Sequence, residues 1–217
     1  MAQTQLKVFI DLDGTLIDVS SRHYKVYSEL ALDFGGEALP KDSYWALKRH
    51  MVAWPELLQK SQLSADIVPE FLDAFISKIE NPDYLKMDTL FPSALATLQA
   101  MAKQNQCYLV SLRRNHQNLI QEIYSLGIDT YFQKILTGHS ETDGYDKKIE
   151  LIAAELQKDE QGLIIGDTEA DIITGQKLGL TTVAVLSGIR DEKFLAALQP
   201  DYMIKTIAEL TSLPLSD

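Results

Sequence analysis

The sequence predicts an α/β protein: a Rossmann-like parallel sheet core interrupted once by an all-helical insertion. Three observations carry this. From about residue 88 onward, short apolar runs alternate with amphipathic segments of helix length. One run of the same kind, Leu6 to Ile10, stands alone near the N-terminus. Between them, residues 18 to 87 show only helical periodicity. Short apolar strands separated by helices imply parallel pairing with right-handed crossovers and cover on both faces. The expected division is therefore 1–17 with 88–217 for the sheet core, and 18–87 for the insertion.

Taken in order, the first strand is Leu6 to Ile10. Tyr24, Tyr27, Ala31 and Phe34 then recur at three- and four-residue steps, behind Ser20 and Ser21 as caps and ahead of Gly35-Gly36, which argues a helix. A second helix carries Tyr44, Leu47 and Met51 on one face until Pro55 interrupts it. The third has the clearest stripe: Val68, Phe71, Leu72, Phe75, Ile76 and Ile79, with Pro69 tolerated in the first turn and Asn81-Pro82 ending it.

Beyond Leu90-Phe91-Pro92 the alternation begins. Helices are expected at Ser93 to Lys103, Gln117 to Ser125, Lys148 to Leu156 and Ala170 to Leu178, with Gly127 and Gly179 as stops. Strands are expected at Cys107 to Ser111, Lys134 to Thr137, Leu163 to Gly166 and Thr182 to Leu186, followed by a last helix and a short tail.

Composition limits the partners. A net charge of −11, a pI near 4.8 and no block of like charges argue against a nucleic-acid backbone or an anionic membrane. The single cysteine, Cys107, lies in an apolar run and excludes an intramolecular disulfide framework, so a reduced, cytoplasmic setting is expected. The run Leu6 to Ile10 is too short for a secretory core or a membrane span. A small-molecule ligand is the expected partner.

Chemistry in a parallel sheet gathers where loops leave the carboxyl ends of the strands. The first strand ends in Asp11-Leu12-Asp13-Gly14-Thr15. Extended backbone sends residues i and i+2 to one side, so Asp11 and Asp13 are expected to share one small volume. Two carboxylates there repel unless a hard cation such as Mg²⁺ joins them. A second acidic pair, Asp167 and Asp171, leaves the strand ending at Gly166 and is spaced by one helical turn. Asp167 or Thr168 can also cap that helix, but capping does not account for two acidic pairs at one sheet edge.

Ser111 ends another strand just before a helix, where free N–H groups favour an anion. The helix that follows Asp146 has Ile149, Ile152, Ala153 and Leu156 on its apolar face. At about 100° per residue, Lys148 falls nearer that face than Lys147 and is the better placed to reach inward.

These stretches, in this order, resemble the four motifs of the haloacid dehalogenase-like superfamily, and more closely its phosphoglycolate phosphatase-like branch. The motifs are the DxDGT of Asp11 to Thr15, the Ser111 hydroxyl, a lysine at 147 or 148 and the GDTxxD of Gly166 to Asp171. Thr182 to Arg190 and Pro200-Asp201-Tyr202 are similar to its final strand and tail. The resemblance implies that 18–87 is an all-helical cap domain closing over the site. It also implies a Mg²⁺-dependent hydrolase acting on a small phosphomonoester, such as a phosphoglycolate-like compound, a sugar phosphate or a nucleotide. Asp11 would be the nucleophile and form an aspartyl-phosphate, and Asp13 the general acid and base. Mg²⁺ would be held by Asp11, the Asp13 backbone carbonyl and Asp167, with Asp171 acting directly or through water, while Ser111 and Lys148 (or Lys147) bind the phosphoryl oxygens.

The sequence departs from the family pattern at two places: Leu112 stands where a small polar residue is frequent, and the lysine lies in Asp-Lys-Lys-Ile-Glu-Leu rather than before a proline. Asp13 and the Asp167/Asp171 pair speak against halide displacement. A β-phosphoglucomutase-like phosphomutase shares all four motifs and is the alternative enzyme; a non-catalytic phosphate-binding regulatory module is the alternative outside enzymes. In the helical insertion Arg22, His23, Lys48, Arg49, His50 and Trp54 could contact a ligand, though a solvated face or helix packing accounts for each equally well; Arg113 and Arg114, just after Ser111, are better placed to meet an anion.

Overall fold

The computed structural model describes residues 5–138 and 144–214. Residues 1–4, 139–143 and 215–217, assigned from sequence to the sheet core, lie outside them. Strand β1 (Lys7–Asp11) is followed by the short β2 (Ile17–Asp18) and then by five helices: α1 (Ser20–Asp33), α2 (Lys41–Arg49), α3 (Trp54–Lys60), α4 (Val68–Ile79) and α5 (Pro82–Leu85). Strand β3 (Thr89–Leu90) returns to pair antiparallel with β2. The remaining order is α6 (Ala94–Gln104), β4 (Gln106–Ser111), α7 (His116–Ser125), β5 (Lys134–Thr137), α8 (Gly144–Ala153), β6 (Gly162–Gly166), α9 (Glu169–Leu178), β7 (Thr181–Val185), α10 (Glu192–Ala197) and β8 (Tyr202–Ile204).

Six strands form one parallel sheet in the order β5-β4-β1-β6-β7-β8. The sequence puts β1 in the middle because its centre is apolar: Val8, Phe9 and Ile10 are all buried. Val8 and Ile10 join the core that includes Leu98 of α6 and Leu119 and Ile123 of α7, while Phe9 turns to Ile152 of α8 on the other face. Alternation along the strand thus fills both layers. Burying each such side chain stabilises the fold by roughly 1.5–3 kcal/mol.

The register fixes where chemistry collects. Asp11 stands opposite Val110 of β4, and Ile10 opposite Ile165 of β6. Ser111 and Asp167 therefore emerge beside Asp11 at one sheet edge. The chain crosses to opposite sides of β1 in reaching β4 and β6, which makes this edge a topological switch point.

Helices α1 to α4 pack around their own apolar cluster, with Val26, Tyr27, Leu30, Tyr44, Leu57, Leu58, Phe71 and Phe75 inside. The rings of Tyr27 and Tyr44 stack with centroids 4.1 Å apart.

Several local expectations are corrected. Ser20 and Ser21 do not cap α1; the Asp18 carboxylate accepts the Ser20 N–H at 2.8 Å instead. Pro55 and Pro82 open α3 and α5 rather than only closing what precedes them, since proline's fixed φ and missing N–H suit a helix's first turn. Helix α2 stops at Arg49, so Met51, with φ +54°, lies outside its face. Helix α8 begins at Gly144, a turn before Lys148, and ends at Ala153, short of the expected Leu156. The tail contains β8, a three-residue edge strand too short to leave a pattern.

Candidate active site

Asp11, Asp167 and Asp171 come together at the carboxyl edge of β1 and β6. Each offers one oxygen to a group in which these oxygens lie within 4.8 Å of one another. Asp11 leaves β1, Asp167 leaves β6, and Asp171 stands in the first turn of α9. The Thr168 N–H and hydroxyl both donate to Asp171 Oδ2, at 3.1 and 2.7 Å, which fixes the carboxylate's orientation. The Ile189 N–H donates to Asp167 Oδ2 at 2.6 Å, and Asp167 Oδ1 is buried with no partner.

The backbone is shaped around these carboxylates. Gly14 has φ +81°, and a Cβ there would lie 2.3 Å from Asp167 Oδ2. A Cβ on Gly188, in the loop after β7, would lie 1.9 Å from the same atom. Only residues without a side chain let both segments approach the carboxylate this closely.

Lys148 lies between two of the acids. Its ammonium donates to Asp11 Oδ1 at 2.6 Å and to Asp171 Oδ1. Burial alone would lower the Lys148 amine, but Asp11 and Asp171 outweigh it and hold the ammonium above its ordinary range. Burial pushes the Asp11 carboxyl well above the ordinary carboxylate range; Lys148 opposes this, and Asp171 and Asp167 add to it. Asp167 is pushed up to about 7, first by burial and then by Asp171. Three buried carboxylates with one ammonium leave excess negative charge, and one oxygen is unpaired. A divalent cation satisfies both, so the donor set fits Mg²⁺.

The Asp13 carboxylate does not share this volume. Regular strand ends at Asp11, so the alternation that would align residues 11 and 13 stops there. Asp13 instead meets a buried ionic network. Arg113 grips it with a fork, Nε to Oδ2 at 2.8 Å and Nη2 to Oδ1 at 2.6 Å, and Arg22 Nη2 joins the same Oδ1. Arg22 also donates to Asp88 Oδ1 at 3.1 Å and to the Ile79 carbonyl at 3.0 Å, and Arg113 reaches Glu122. Burial would raise the Asp13 carboxyl, but Arg113 and Arg22 overcome it and hold it well below the usual carboxylate range.

Of the remaining residues singled out from sequence, Ser111 is buried and its Oγ accepts the Arg113 N–H at 3.4 Å. Lys147 turns outward to Glu150 at 2.8 Å. The Arg114 backbone N–H donates to Glu80 at 3.0 Å in an exposed position. His50, just past the end of α2, is exposed and bonds the Ala46 carbonyl of that helix. Arg49 donates to the carbonyls of Gly188 and Leu186, each at 2.9 Å. Asp88, Glu122 and the Ile189 N–H were not foreseen. Asp88 and Glu122 give no local signal, whereas the glycine of Leu186-Ser187-Gly188-Ile189 marks a close backbone approach in retrospect.

A family model described as haloacid dehalogenase-like hydrolase matches residues 8–185. The chain is 25% identical to the pyrophosphatase PpaX of Oceanobacillus iheyensis over 216 residues, 95% of each chain. It is 23% identical to a phosphoglycolate phosphatase of Synechococcus elongatus over 207 residues, 94% of each. A solved haloacid dehalogenase-like hydrolase from Streptococcus pneumoniae superposes with a TM-score of 0.77 at 22% identity, covering 96% of this chain and 97% of its own. At that identity the likeness establishes the fold.

Proposed function

Because this chain belongs to the haloacid dehalogenase-like hydrolase family, we propose that it is a Mg²⁺-dependent phosphatase acting on a small phosphomonoester, with Asp11 as nucleophile. One observation carries the reading: Asp11, Asp167 and Asp171 converge at one sheet edge with Lys148 bridging two of them and an Asp167 oxygen unpartnered.

Asp11, Asp167 and Asp171 would hold Mg²⁺, together with the Asp13 carbonyl, and the bound ion supplies neutralisation of the acidic group and of the phosphoryl oxygens. In the first step an Asp11 oxygen attacks phosphorus. The bond to the leaving oxygen breaks, its electron pair departs with that oxygen, and an aspartyl-phosphate remains. Asp13 gives the leaving oxygen its proton. In the second step a water attacks phosphorus while Asp13 takes the water's proton, which releases phosphate and restores Asp11.

Arg22 and Arg113 favour the carboxylate form of Asp13, which suits the second step. The proton that Asp13 takes from water in the second step is the one it gives to the leaving oxygen in the next turnover. Ser111 and Lys148 position the phosphoryl group, and positioning plus charge stabilisation is most of what phosphoryl transfer requires.

Helices α1 to α5 act as the cap. Arg22 of α1 and Arg49 of α2 already reach across to the sheet side. Among the described residues no helix is long and apolar enough to cross a membrane.

The test is release of inorganic phosphate from a panel of phosphomonoesters by purified protein with Mg²⁺. Turnover by the native chain and its loss in Asp11→Asn are expected. Absence of release across the panel, or an unchanged rate in Asp11→Asn, would overturn the reading.

A further inference from the structure

Asp13 is the open end of a buried ionic group. Its side chain is 30% exposed, against 5% or less for those of Arg22, Arg113, Asp88 and Glu122. Its two oxygens are not used alike. Oδ1 accepts from both guanidiniums, Arg113 Nη2 at 2.6 Å and Arg22 Nη2, whereas among the described residues Oδ2 accepts from Arg113 Nε alone, at 2.8 Å. A carboxylate oxygen has two lone pairs, so Oδ1 is filled and Oδ2 keeps one lone pair for a proton.

That asymmetry is set by the orientation of Arg113. The fork uses Nε and Nη2; the third nitrogen, Nη1, lies on the far side of the guanidinium and donates to Glu122 Oε2 of α7. Glu122 thus holds the guanidinium from behind. A planar fork makes both bonds to a carboxylate only when the two planes align, so the partner at Nη1 decides whether the fork forms. Arg113 also has a competing acid at hand. Asp88, between α5 and β3, lies 3.4 Å from Nη2 and already pairs with Arg22 Nε at 2.9 Å.

Stability does not account for Glu122. It stands with Leu119 and Ile123 on the buried face of α7, where an apolar side chain would pack. Its second oxygen, Oε1, is buried with no partner, and a buried carboxylate left half-satisfied is destabilising. Apolar groups of similar volume frequently replace a buried ion pair at no loss of stability. What a glutamate does here and a leucine cannot is hold Arg113.

We infer that Glu122 is a positioning residue for proton transfer at Asp13: it keeps Arg113 in the fork, and the fork leaves Oδ2 as the oxygen that carries the proton. This rests on the phosphatase reading and deepens it. In the first step the Oδ2–H bond breaks as the leaving oxygen gains that proton. In the second, Oδ2 takes a proton from the attacking water, whose oxygen lone pair forms the bond to phosphorus.

The test compares kcat/KM of the full chain in Mg²⁺ for glycerol 2-phosphate and for 4-nitrophenyl phosphate. The alkoxide of the first leaves only with a proton, whereas nitrophenolate leaves without one, so the second ester does not need Asp13 as an acid. Glu122→Leu should lower kcat/KM about tenfold or more for glycerol 2-phosphate and no more than about twofold for the nitrophenyl ester. Glu122→Gln keeps an acceptor for Nη1 and should hold the glycerol phosphate value within about threefold of native. Should the leucine variant not fold, Glu122→Asp, whose carboxylate falls one methylene short of Nη1, carries the same expectation. Equal loss on both esters, or no loss, overturns the positioning role. The crystal structure of Glu122→Leu reads the proposal without turnover, since Arg113 should leave the fork for Asp88. A fork still in place sinks the Glu122 role alone, and no phosphate release by the native chain across the panel sinks the hydrolase assignment alone.

Discussion

Lys147 and Lys148 are chemically identical neighbours with opposite surroundings. Lys148 is buried between the Asp11 and Asp171 carboxylates, whereas Lys147 lies at the surface with an exposed glutamate. Surface pairs of the second kind are worth about 0–1 kcal/mol, so Lys147→Ala should change phosphate release by no more than about twofold. Removing Lys148 leaves two buried carboxylates facing each other and strips a preorganised charge from the proposed phosphoryl site. Lys148→Ala should slow release by about 10²-fold or more. Steady-state rates of the two variants check this, and a larger loss in Lys147→Ala would reverse the assignment. The separation was legible because it depends only on helical phase. The partners of Asp13 were not. Arg113 lies 100 residues away in sequence and Arg22 acts together with Asp88 66 residues away, and nothing in local spacing predicts such a meeting.

Elements show the same division between what local chemistry states and what tertiary packing decides. The apolar stripes of α1 and α4 and the runs of β1, β4, β6 and β7 were readable because period and burial coincide there. Ends and short pieces were not readable. Proline was read as a terminator although it opens α3 and α5, and two- or three-residue strands carry no period. How the helices lock together was equally hidden. The Tyr27 hydroxyl of α1 meets Ser61 Oγ at the end of α3 at 2.6 Å and accepts the Leu39 N–H ahead of α2 at 2.9 Å. One hydroxyl thus joins three helical segments inside an apolar cluster. Tyr27→Phe preserves the ring stacked on Tyr44 and strands the Leu39 N–H, a loss of about 1–3 kcal/mol. Denaturant unfolding should register it as a shifted midpoint with an unchanged slope. A midpoint equal to the native one would show that the hydroxyl holds nothing.

At the scale of the molecule, the proposed Mg²⁺ site would make stability depend on the metal. Folding brings Asp11, Asp167 and Asp171 into one small buried volume with a single ammonium, and their repulsion opposes the folded state. The unfolded chain separates these residues, because Asp11 is more than 150 positions from the other two. Mg²⁺ held as proposed would therefore bind the folded form and have no comparable site on the unfolded one. Mass action then stabilises the fold by about 2.7 kcal/mol when the ion stands at one hundred times its dissociation constant. For a chain of 217 residues, each kcal/mol moves the melting temperature by about 2–4 °C, so saturating Mg²⁺ should raise it by about 5–10 °C. A chelator should return it to the starting value. Asp167→Asn removes one charge from the crowded group, so it should melt above the native protein without metal and show much of the Mg²⁺-induced rise lost. The reversal of order between the two proteins on adding Mg²⁺ is the diagnostic outcome, since a variant that merely damaged packing would melt lower under both conditions. If Mg²⁺ leaves the native melting temperature where it was, the acidic group is not a Mg²⁺ site.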